Sequence, residues 1–418
     1  NNHQKQFPYK ETAFDDYFTT TRFSNSLNLT YKANKNLVIN ILGGYNYYKR
    51  IKTKYLKDLV TIDYQIIDDL SSRDTSVFDL VFSRGTYSFS KDSSKLNYQL
   101  GYDINVEANK GKRINDGRKE IGDYAIFGSL EYRPNTKTVI RPGLRYSYNT
   151  AYETPLIPSF NVKYDWSKHL TSRLSWGKGF RAPSLKELHF LFVDLNHNIL
   201  GNKNLVAENS DNFMLQFNYK RGIKRGVYNF GLSGFYNAVN NQISLVLRDA
   251  TEQLYTYTNI GKFFSQGINL NSGFKYKTYR TDIGFSWVGR YNNEFTNHSS
   301  LDKFLYTPEI MASFGYEVKE WQSTFNLFYK YTGRVLGFVE SEFDEVSQYE
   351  IEAYSMMDVS VIKYFFKKKL SITLGAKNLF DVGNINSNQL TGGVHSGAGN
   401  NIPVAWGRTY FTRLVINL

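Results

Sequence analysis

Two histidines close together in the sequence, His189 and His197, are the side chains of this chain best suited to bind a metal ion. Imidazole is a good ligand for iron and for other first-row transition metals. Arg181, just before them, could pair with a carboxylate of the protein or present its guanidinium to an anionic ligand. A loop histidine can equally be a solvated or hydrogen-bonded side chain. Residues 181–197 are therefore the first candidate for a ligand-binding segment.

Tyr255, Tyr257 and His395 are further candidates for ligand binding. The two tyrosines could bind a metal through their phenolate oxygens or stack on a substrate, or they could be ordinary aromatic residues of a membrane interface or a lumen. His395 lies in a glycine-rich stretch, residues 392–399. A phosphate-binding loop needs a strand before it and a helix after it, which this stretch lacks. We expect a loop that covers a ligand or is mobile.

Several classes of chemistry are excluded or disfavoured by composition. The chain has no cysteine, which excludes disulfides, thiolate metal sites and thiol nucleophiles. It has neither a Gly-x-Ser-x-Gly elbow nor a His-Glu-x-x-His motif. Ser, His and Asp side chains can converge in space without a local motif, as in membrane-barrel hydrolases, but nothing in the sequence indicates it. We expect that the chain is not an enzyme.

The elements that must position these residues show an alternation of period two. In residues 95–107 the apolar side chains share one face and the polar side chains share the other, which predicts a strand. The apolar set is Leu96, Tyr98, Leu100, Tyr102, Ile104 and Val106. Repeated stretches of roughly ten such residues, separated by turn residues, are typical of a transmembrane β-barrel.

Composition supports the membrane interpretation. Aromatic residues make up 17% of the chain, and tyrosine is enriched at membrane interfaces. The mean hydropathy of −0.46, without an apolar run near the length of a transmembrane helix, still allows a barrel, because lumen residues are polar. A soluble β-propeller would also alternate, but it should show a fixed repeat, and none is present.

The net charge of +13 indicates anionic neighbours, such as membrane lipid or an anionic ligand. Nucleic acid is disfavoured because the basic residues are scattered.

Short turns and long loops alternate along the chain, which gives the predicted barrel an orientation. The pattern predicts about 17 strands, the first beginning at Arg22, with residues 1–21 as a loop or extracellular segment and residues 22–418 as a partial barrel. Short turns lie in the periplasm and long loops outside. The long loop of residues 179–209, with both histidines, is therefore extracellular. The first and last strands run the same way, so an odd number of further strands is needed to close the barrel.

Four sequence motifs carry a resemblance to a known family. Residues 179–190 read Gly-Phe-Arg-Ala-Pro-Ser-Leu-Lys-Glu-Leu-His-Phe, and residues 201–205 read Gly-Asn-Lys-Asn-Leu, followed by Glu208. Residues 376–381 read Ala-Lys-Asn-Leu-Phe-Asp, and a final strand runs from Gly407 to Leu418. In this order they resemble TonB-dependent outer-membrane receptors, in the branch that takes up haem, cobalamin and iron chelates. Lys203 stands where that family usually has proline, and Leu418 stands in place of a terminal aromatic residue.

The resemblance implies a bacterial outer-membrane receptor that imports a scarce metal-containing ligand. It implies a barrel of about 22 strands, a plug domain and missing N-terminal strands outside this chain, a TonB-type energy transducer in the periplasm, and in some cases a surface lipoprotein. Haem is favoured over cobalamin or a ferric siderophore, because a histidine between the first two motifs binds haem iron in the haem branch. His197 is slightly preferred to His189, whose position is commonly aromatic. No intrinsic cofactor is expected. The alternative is a passive porin or a structural barrel of an envelope assembly.

Overall fold

The protein folds into one large antiparallel β-sheet, seen here in a computed structural model. The structure describes residues 4–6, 10–67, 74–114, 117–194, 197–249, 254–292, 304–340, 346–387 and 401–417. No helix in these ranges is long and apolar enough to cross a membrane.

Within the described ranges, twenty-five strands and one short helix follow one another along the chain. They are β1 Gln4–Gln6, β2 Lys10–Asn34, β3 Leu37–Asp58, β4 Tyr64–Ile66, β5 Asp74–Phe89, β6 Leu96–Lys110, β7 Lys119–Tyr132, β8 Thr138–Asn149, β9 Ile157–Asp165, β10 Leu170–Arg181, α1 Leu185–His189, β11 Leu191–Asp194, β12 His197–Leu200, β13 Glu208–Ile223, β14 Gly226–Asp249, β15 Leu254–Tyr276, β16 Tyr279–Asn292, β17 Leu305–Val318, β18 Ser323–Thr332, β19 Val335–Glu340, β20 Val346–Ile351, β21 Tyr354–Phe365, β22 Leu370–Lys377, β23 Asn384–Asn386, β24 Asn401–Pro403 and β25 Thr409–Ile416.

In the part of the chain that the structure describes, the main sheet has 21 strands, of which β1, β4, β11 and β12 are short pieces beside the wall. The other 17 form a meander in which each wall strand pairs antiparallel with the next, from β2 to β25. This number agrees with the sequence prediction. Within the described residues β25 pairs only with β22, and β2 pairs with β3 and, at residues 10–12, also with the short β1, so β25 and the rest of β2 are the edges of the sheet. Because 17 is odd, both edge strands run in the same direction.

Several strands reach further than the alternation predicts. The first wall strand begins at Lys10 rather than at Arg22, so residues 10–21, predicted as a loop or extracellular segment, are strand. The next strand continues to Asp58, and β14 and β15 are 24 and 23 residues long. A membrane-spanning strand needs only about 11 residues. These strands therefore extend well beyond the membrane at the end opposite the short turns.

The two faces of the wall differ in chemistry. On one face the Arg145 guanidinium contacts Asp103 on β6 at 3.0 Å and Asp123 on β7 at 3.2 Å. On the other face apolar side chains are exposed, with Ile126 65% and Tyr148 61% accessible. A barrel in lipid has an apolar exterior and a polar lumen. The ion-paired face is therefore the lumen side.

Candidate functional site

The long connection between β10 and β13, residues 182–207, crosses the lumen side of the wall near the rim; we call it the strap. Its helix α1 packs close to β6 and β7, while the strap also reaches β14 and β15. These strand pairs lie on opposite sides of β10 and β13 in the wall. A short segment can contact both strand pairs only from the concave, lumen side of the curved wall, because on the convex side the side chains of separate strands point away from one another. The strap therefore spans an arc of the extracellular mouth.

Arg181, the last residue of β10, holds the base of the strap through two carboxylates. Its Nε and Nη2 donate to the Glu208 carboxylate at 2.8 and 2.5 Å, and its Nη1 donates to both Glu187 oxygens at 3.1 and 2.9 Å. Glu208 Oε1 also accepts from the Ile243 backbone N–H at 2.7 Å. The carboxylates are 15% exposed and the arginine 43%. Paired guanidinium–carboxylate contacts fix geometry as well as charge. The cluster joins β10, α1, β13 and β14.

The helix α1 starts with a capping box. Ser184 Oγ accepts from the Glu187 backbone N–H at 3.3 Å, and the Glu187 carboxylate accepts from the Ser184 backbone N–H at 2.7 Å. Burial raises the pKa of the Glu187 carboxyl, but hydrogen bonds from Arg181 and Ser184 outweigh it and hold that pKa below its ordinary value. One carboxylate therefore caps the helix and also anchors it to the wall.

A small apolar core fixes α1 against the lumen wall. Leu188, Leu205 and Ile243 are buried against one another, with Ile121 and Tyr152 packed around them. The Tyr152 hydroxyl donates to the Leu205 carbonyl at 3.0 Å. Burial, and then the negative charge of Glu187, raise the pKa of the Tyr152 phenol, so it stays protonated as a donor. Leu185 is 1% exposed, which makes this region one of the best packed in the molecule.

The returning half of the strap is fastened through backbone groups. The Asn202 backbone N–H donates to the Glu187 carbonyl at 2.9 Å, and its side chain donates to the Tyr257 carbonyl at 2.9 Å. Asn259 on β15 exchanges two hydrogen bonds of 2.9 Å with the backbone of Val206. At Gly201 a Cβ would lie 2.6 Å from the Phe190 nitrogen. Only glycine permits this approach of the two halves.

The hairpin β11–β12 forms the outer part of the strap. Asn198 to Leu200 pair parallel with the first residues of β15, and Phe190 bridges to Ile114 in the β6–β7 connection. The Cζ atom of Arg113 lies 3.9 Å from the centre of the Phe192 ring, and its Nε lies 3.1 Å from Oδ2 of Asp74. The hairpin thus has partners on both sides of the mouth.

The structure brings five of the six predicted ligand-binding residues onto the strap or against it. Arg181 anchors the base of the strap by pairing with carboxylates of the protein, which is the first of the two roles that the sequence suggested for it. His189 ends α1 with its Nδ1 shut off from solvent, and His197 begins β12. Tyr257 packs on the Leu188 core. Tyr255 is opposite Ile199 of β12, and His395 lies outside the described residues. Among those described, no cluster of three His, Asp or Glu side chains could hold a metal ion.

Sequence reasoning missed the residues that hold the strap. Glu187, Ser184, Asn202, Asn259 and Tyr152 make its polar contacts. A readable signal existed for two of them, because Ser-Leu-Lys-Glu at residues 184–187 is the pattern of a capping box. The others act across strands distant in sequence, and no local pattern reveals them.

Together, the 17-strand antiparallel wall, its apolar exterior, its ion-paired lumen side and the strap define an outer-membrane β-barrel. The family described as TonB dependent receptor-like, beta-barrel, matches residues 1–379. The chain therefore belongs to the TonB-dependent receptor-like β-barrel family. The predicted family, fold class and outer-membrane location are confirmed. Members of this family are receptors and transporters without an intrinsic cofactor, which agrees with the prediction that the chain is not an enzyme.

Individual relatives show how far the likeness extends. The ferric enterobactin receptor PirA of Pseudomonas aeruginosa is 24% identical over 294 residues, which is 65% of this chain. The match covers 38% of that curated relative, so the aligned part spans well under half of its length. The crystal structure of the siderophore receptor PirA from Pseudomonas aeruginosa superposes with a TM-score of 0.63 at 14% identity, covering 97% of this chain and 74% of that one. The FrpB iron transporter of Neisseria meningitidis gives 0.64 at 12% identity, covering 97% and 71%. These structures share the fold.

Proposed function

We propose that this chain is the main part of the barrel of a receptor that imports iron bound to a siderophore. The observation that supports this most is the family match over residues 1–379, together with a relative that is a ferric enterobactin receptor. The strap adds a physical reason, because it places a rigid, well-packed segment across the extracellular mouth, where an incoming ligand arrives first. A passive porin would be expected to keep an open channel there.

The edges of the sheet support a larger receptor. β2 and β25 run in the same direction and do not pair with each other in the described residues. An antiparallel closure then needs an odd number of additional strands, which a segment outside residues 1–418 would supply. We infer the same source for a plug domain, which would contact a TonB-type transducer in the periplasm. A surface lipoprotein that delivers the ligand is a further candidate partner.

Uptake by the full-length receptor tests this function. We expect cells that produce it as their sole iron-chelate receptor to accumulate radioactive iron from a ferric siderophore, and to lose uptake when TonB is deleted. A receptor that admits small neutral sugars at the same rate with and without TonB would instead be a porin. Equal iron accumulation in cells with and without the receptor gene would contradict the proposal.

Haem is the second candidate ligand, and His189 and His197 are the residues that would bind its iron. Both lie on the strap, at the end of α1 and at the start of β12. If they bind haem iron, adding haem to the full-length receptor shifts the Soret band, and the His189→Ala, His197→Ala double variant abolishes the shift. If the double variant showed the same Soret shift as the wild type, these histidines would not be the ligands of the haem iron. His169, in the short β9–β10 turn at the opposite end of the wall, provides a control as His169→Ala.

A further inference from the structure

Aromatic and cationic side chains alternate between β2 and β3 on the lumen side of the wall, above the membrane. Lys54 Nζ lies 4.7 Å from the centre of the Phe14 ring, and Arg50 Cζ lies 5.2 Å from that of Phe18. Lower down, Arg22 Cζ lies 5.5 Å from the centre of the Tyr48 ring. Between the first two contacts Lys52 forms a 2.9 Å ion pair with Asp16. We call these eight residues the ladder.

The ladder faces the same side as the strap. Its β3 residues are paired with β5 so that Lys52 lies opposite Asp74 and Tyr48 opposite Phe78. Asp74 is held by Arg113, which stacks on Phe192 of the strap. Neighbouring residues such as Lys49 project to the opposite face, because side chains alternate along a strand. The ladder is therefore part of the mouth that the strap crosses.

Charge in the ladder is unbalanced. It contains four cations and one carboxylate, and three of the cations rest on ring faces rather than on acidic groups. Phe18 is 54% exposed, so its ring is accessible from the mouth. Cations over rings keep most of their charge available, whereas a carboxylate partner neutralises it. Such a surface attracts anions and offers planar faces for stacking.

The lower end of the ladder opens into a cavity of about 280 Å³. Arg22 and Tyr48 belong to both, and Phe78, Asn109 and the acidic residues Asp79 and Glu107 line further parts of the cavity wall. The Tyr48 and Phe78 rings lie 5.8 Å apart at a 55° tilt. A ligand that moves down the ladder therefore reaches a pocket that contains rings and a guanidinium, and also the acidic residues Asp79 and Glu107.

We propose that the ladder is a binding track for an anionic iron chelate that carries planar aromatic rings. The inference rests on the proposed function and adds the class of chelate and its place of contact. Catecholate groups have the required chemistry, since each is a planar ring with a double negative charge, and three around a ferric ion leave a triply negative complex. Three hydroxamates around a ferric ion leave a neutral complex whose metal-binding groups contain no aromatic rings. The ladder favours the first over the second.

The experiment compares these two chelates on the full-length receptor and on charge variants. The test variant is Arg50→Glu with Lys54→Glu. The control is Lys35→Glu with Lys49→Glu, which changes the net charge equally on the same hairpin but away from the ladder. We expect the affinity for a ferric tris-catecholate to fall about tenfold or more in the test variant and to stay within about twofold in the control. Affinity for a ferric trihydroxamate should not change. Phe18→Leu, which keeps every charge, should weaken only the tris-catecholate.

Each outcome decides between the proposals. An equal loss in test and control variants, or an equal loss for both chelates, would overturn the ladder and leave the uptake function intact. Tris-catecholate binding that is unaffected by all three variants would overturn it as well. A wild-type receptor that binds neither chelate would contradict the proposed function itself. The shift in electrophoretic mobility on heating, compared among the variants, confirms that each barrel is folded.

Discussion

Two lumen-side regions of this barrel contain arginines in opposite circumstances. At the base of the strap, Arg181 directs its donors to two largely buried carboxylates, and the strap core packs around that cluster. In the ladder, Arg50 and Arg22 lie over aromatic rings. In the first arrangement the carboxylates neutralise the charge of the arginine, and the contacts fix the backbone of the strap. In the second arrangement the charge of the guanidinium groups remains directed to the mouth. The surroundings of an arginine, more than its position near a motif, therefore indicate whether it serves structure or ligand.

The largest effect should come from Arg181→Ala. It removes the shared partner of Glu187 and Glu208 and leaves two carboxylates to repel each other, which should cost about 2 to 3 kcal/mol of local stability. Hydrogen exchange of the strap amides measures the loss as faster exchange in residues 182–207. Arg173→Ala, an exposed arginine on the same strand, is the control. Unchanged hydrogen-exchange protection of the strap amides in Arg181→Ala would contradict this comparison, because it would show that Arg181 does not hold the strap.

Gly201→Ala tests the strap without touching charge. The new Cβ would meet backbone atoms of Leu188, His189 and Phe190 at 2.6 to 2.7 Å, so the two halves must separate, at a cost of about 1 to 2 kcal/mol. Protease cleavage within the strap should become faster. Gly261→Ala on β15, with nothing within 4 Å of its Cβ, should be cleaved at the wild-type rate. Equal sensitivity of both variants would contradict the close packing at Gly201.

The strap should respond to acid. The pKa of Glu187 is lowered in the folded state, so its contribution to stability is complete above the ordinary value of 4.5 and is lost as pH falls below it. Strap protection should therefore be constant from neutral pH down to that value and decline beneath it. In Glu187→Gln the decline should be smaller. An equal decline in the wild type and in Glu187→Gln would contradict this role of Glu187.

Tyr152→Phe should give the smallest effect. It deletes only the hydroxyl that donates to the Leu205 carbonyl and keeps the ring packed on the Leu188 core, which should cost about 1 kcal/mol. Strap amides near Leu205 should exchange slightly faster, and chelate affinity should not change. Tyr148→Phe, on the exposed outer face, is the matched substitution. A large loss of chelate affinity in Tyr152→Phe alone would place this tyrosine in the ligand site instead.

The wall could be predicted from sequence because lipid imposes alternation on every membrane-spanning strand. Above the membrane that constraint disappears, which is why the strand conformation of residues 10–21 was not predicted. There Phe14, Tyr17 and Phe18 place rings on both faces, and neither face meets lipid. The same holds for residues 50–58 of β3, whose outward-facing side chains include the polar Thr53 and Lys57.

The strap could be predicted only in part. The motifs placed it, and Pro183 and the capping pattern marked a helix start, but a five-residue helix is not stable alone. It forms because Leu185 and Leu188 are buried against strands far away in sequence. The ladder was missed for a related reason, since each of its contacts joins one residue of β2 with one of β3, and single-strand patterns do not show such pairs.

The strap also has a mechanical consequence. A segment fixed at one end to β6 and β7 and at the other to β14 and β15 is a chord across an arc, and a chord of fixed length resists flattening of that arc. Tension carried by Arg181, Gly201 and Asn259 would then keep the rim from becoming elliptical. If the strap detached, this part of the rim would lose its stiffest member, and the mouth could widen without breaking any hydrogen bond between wall strands.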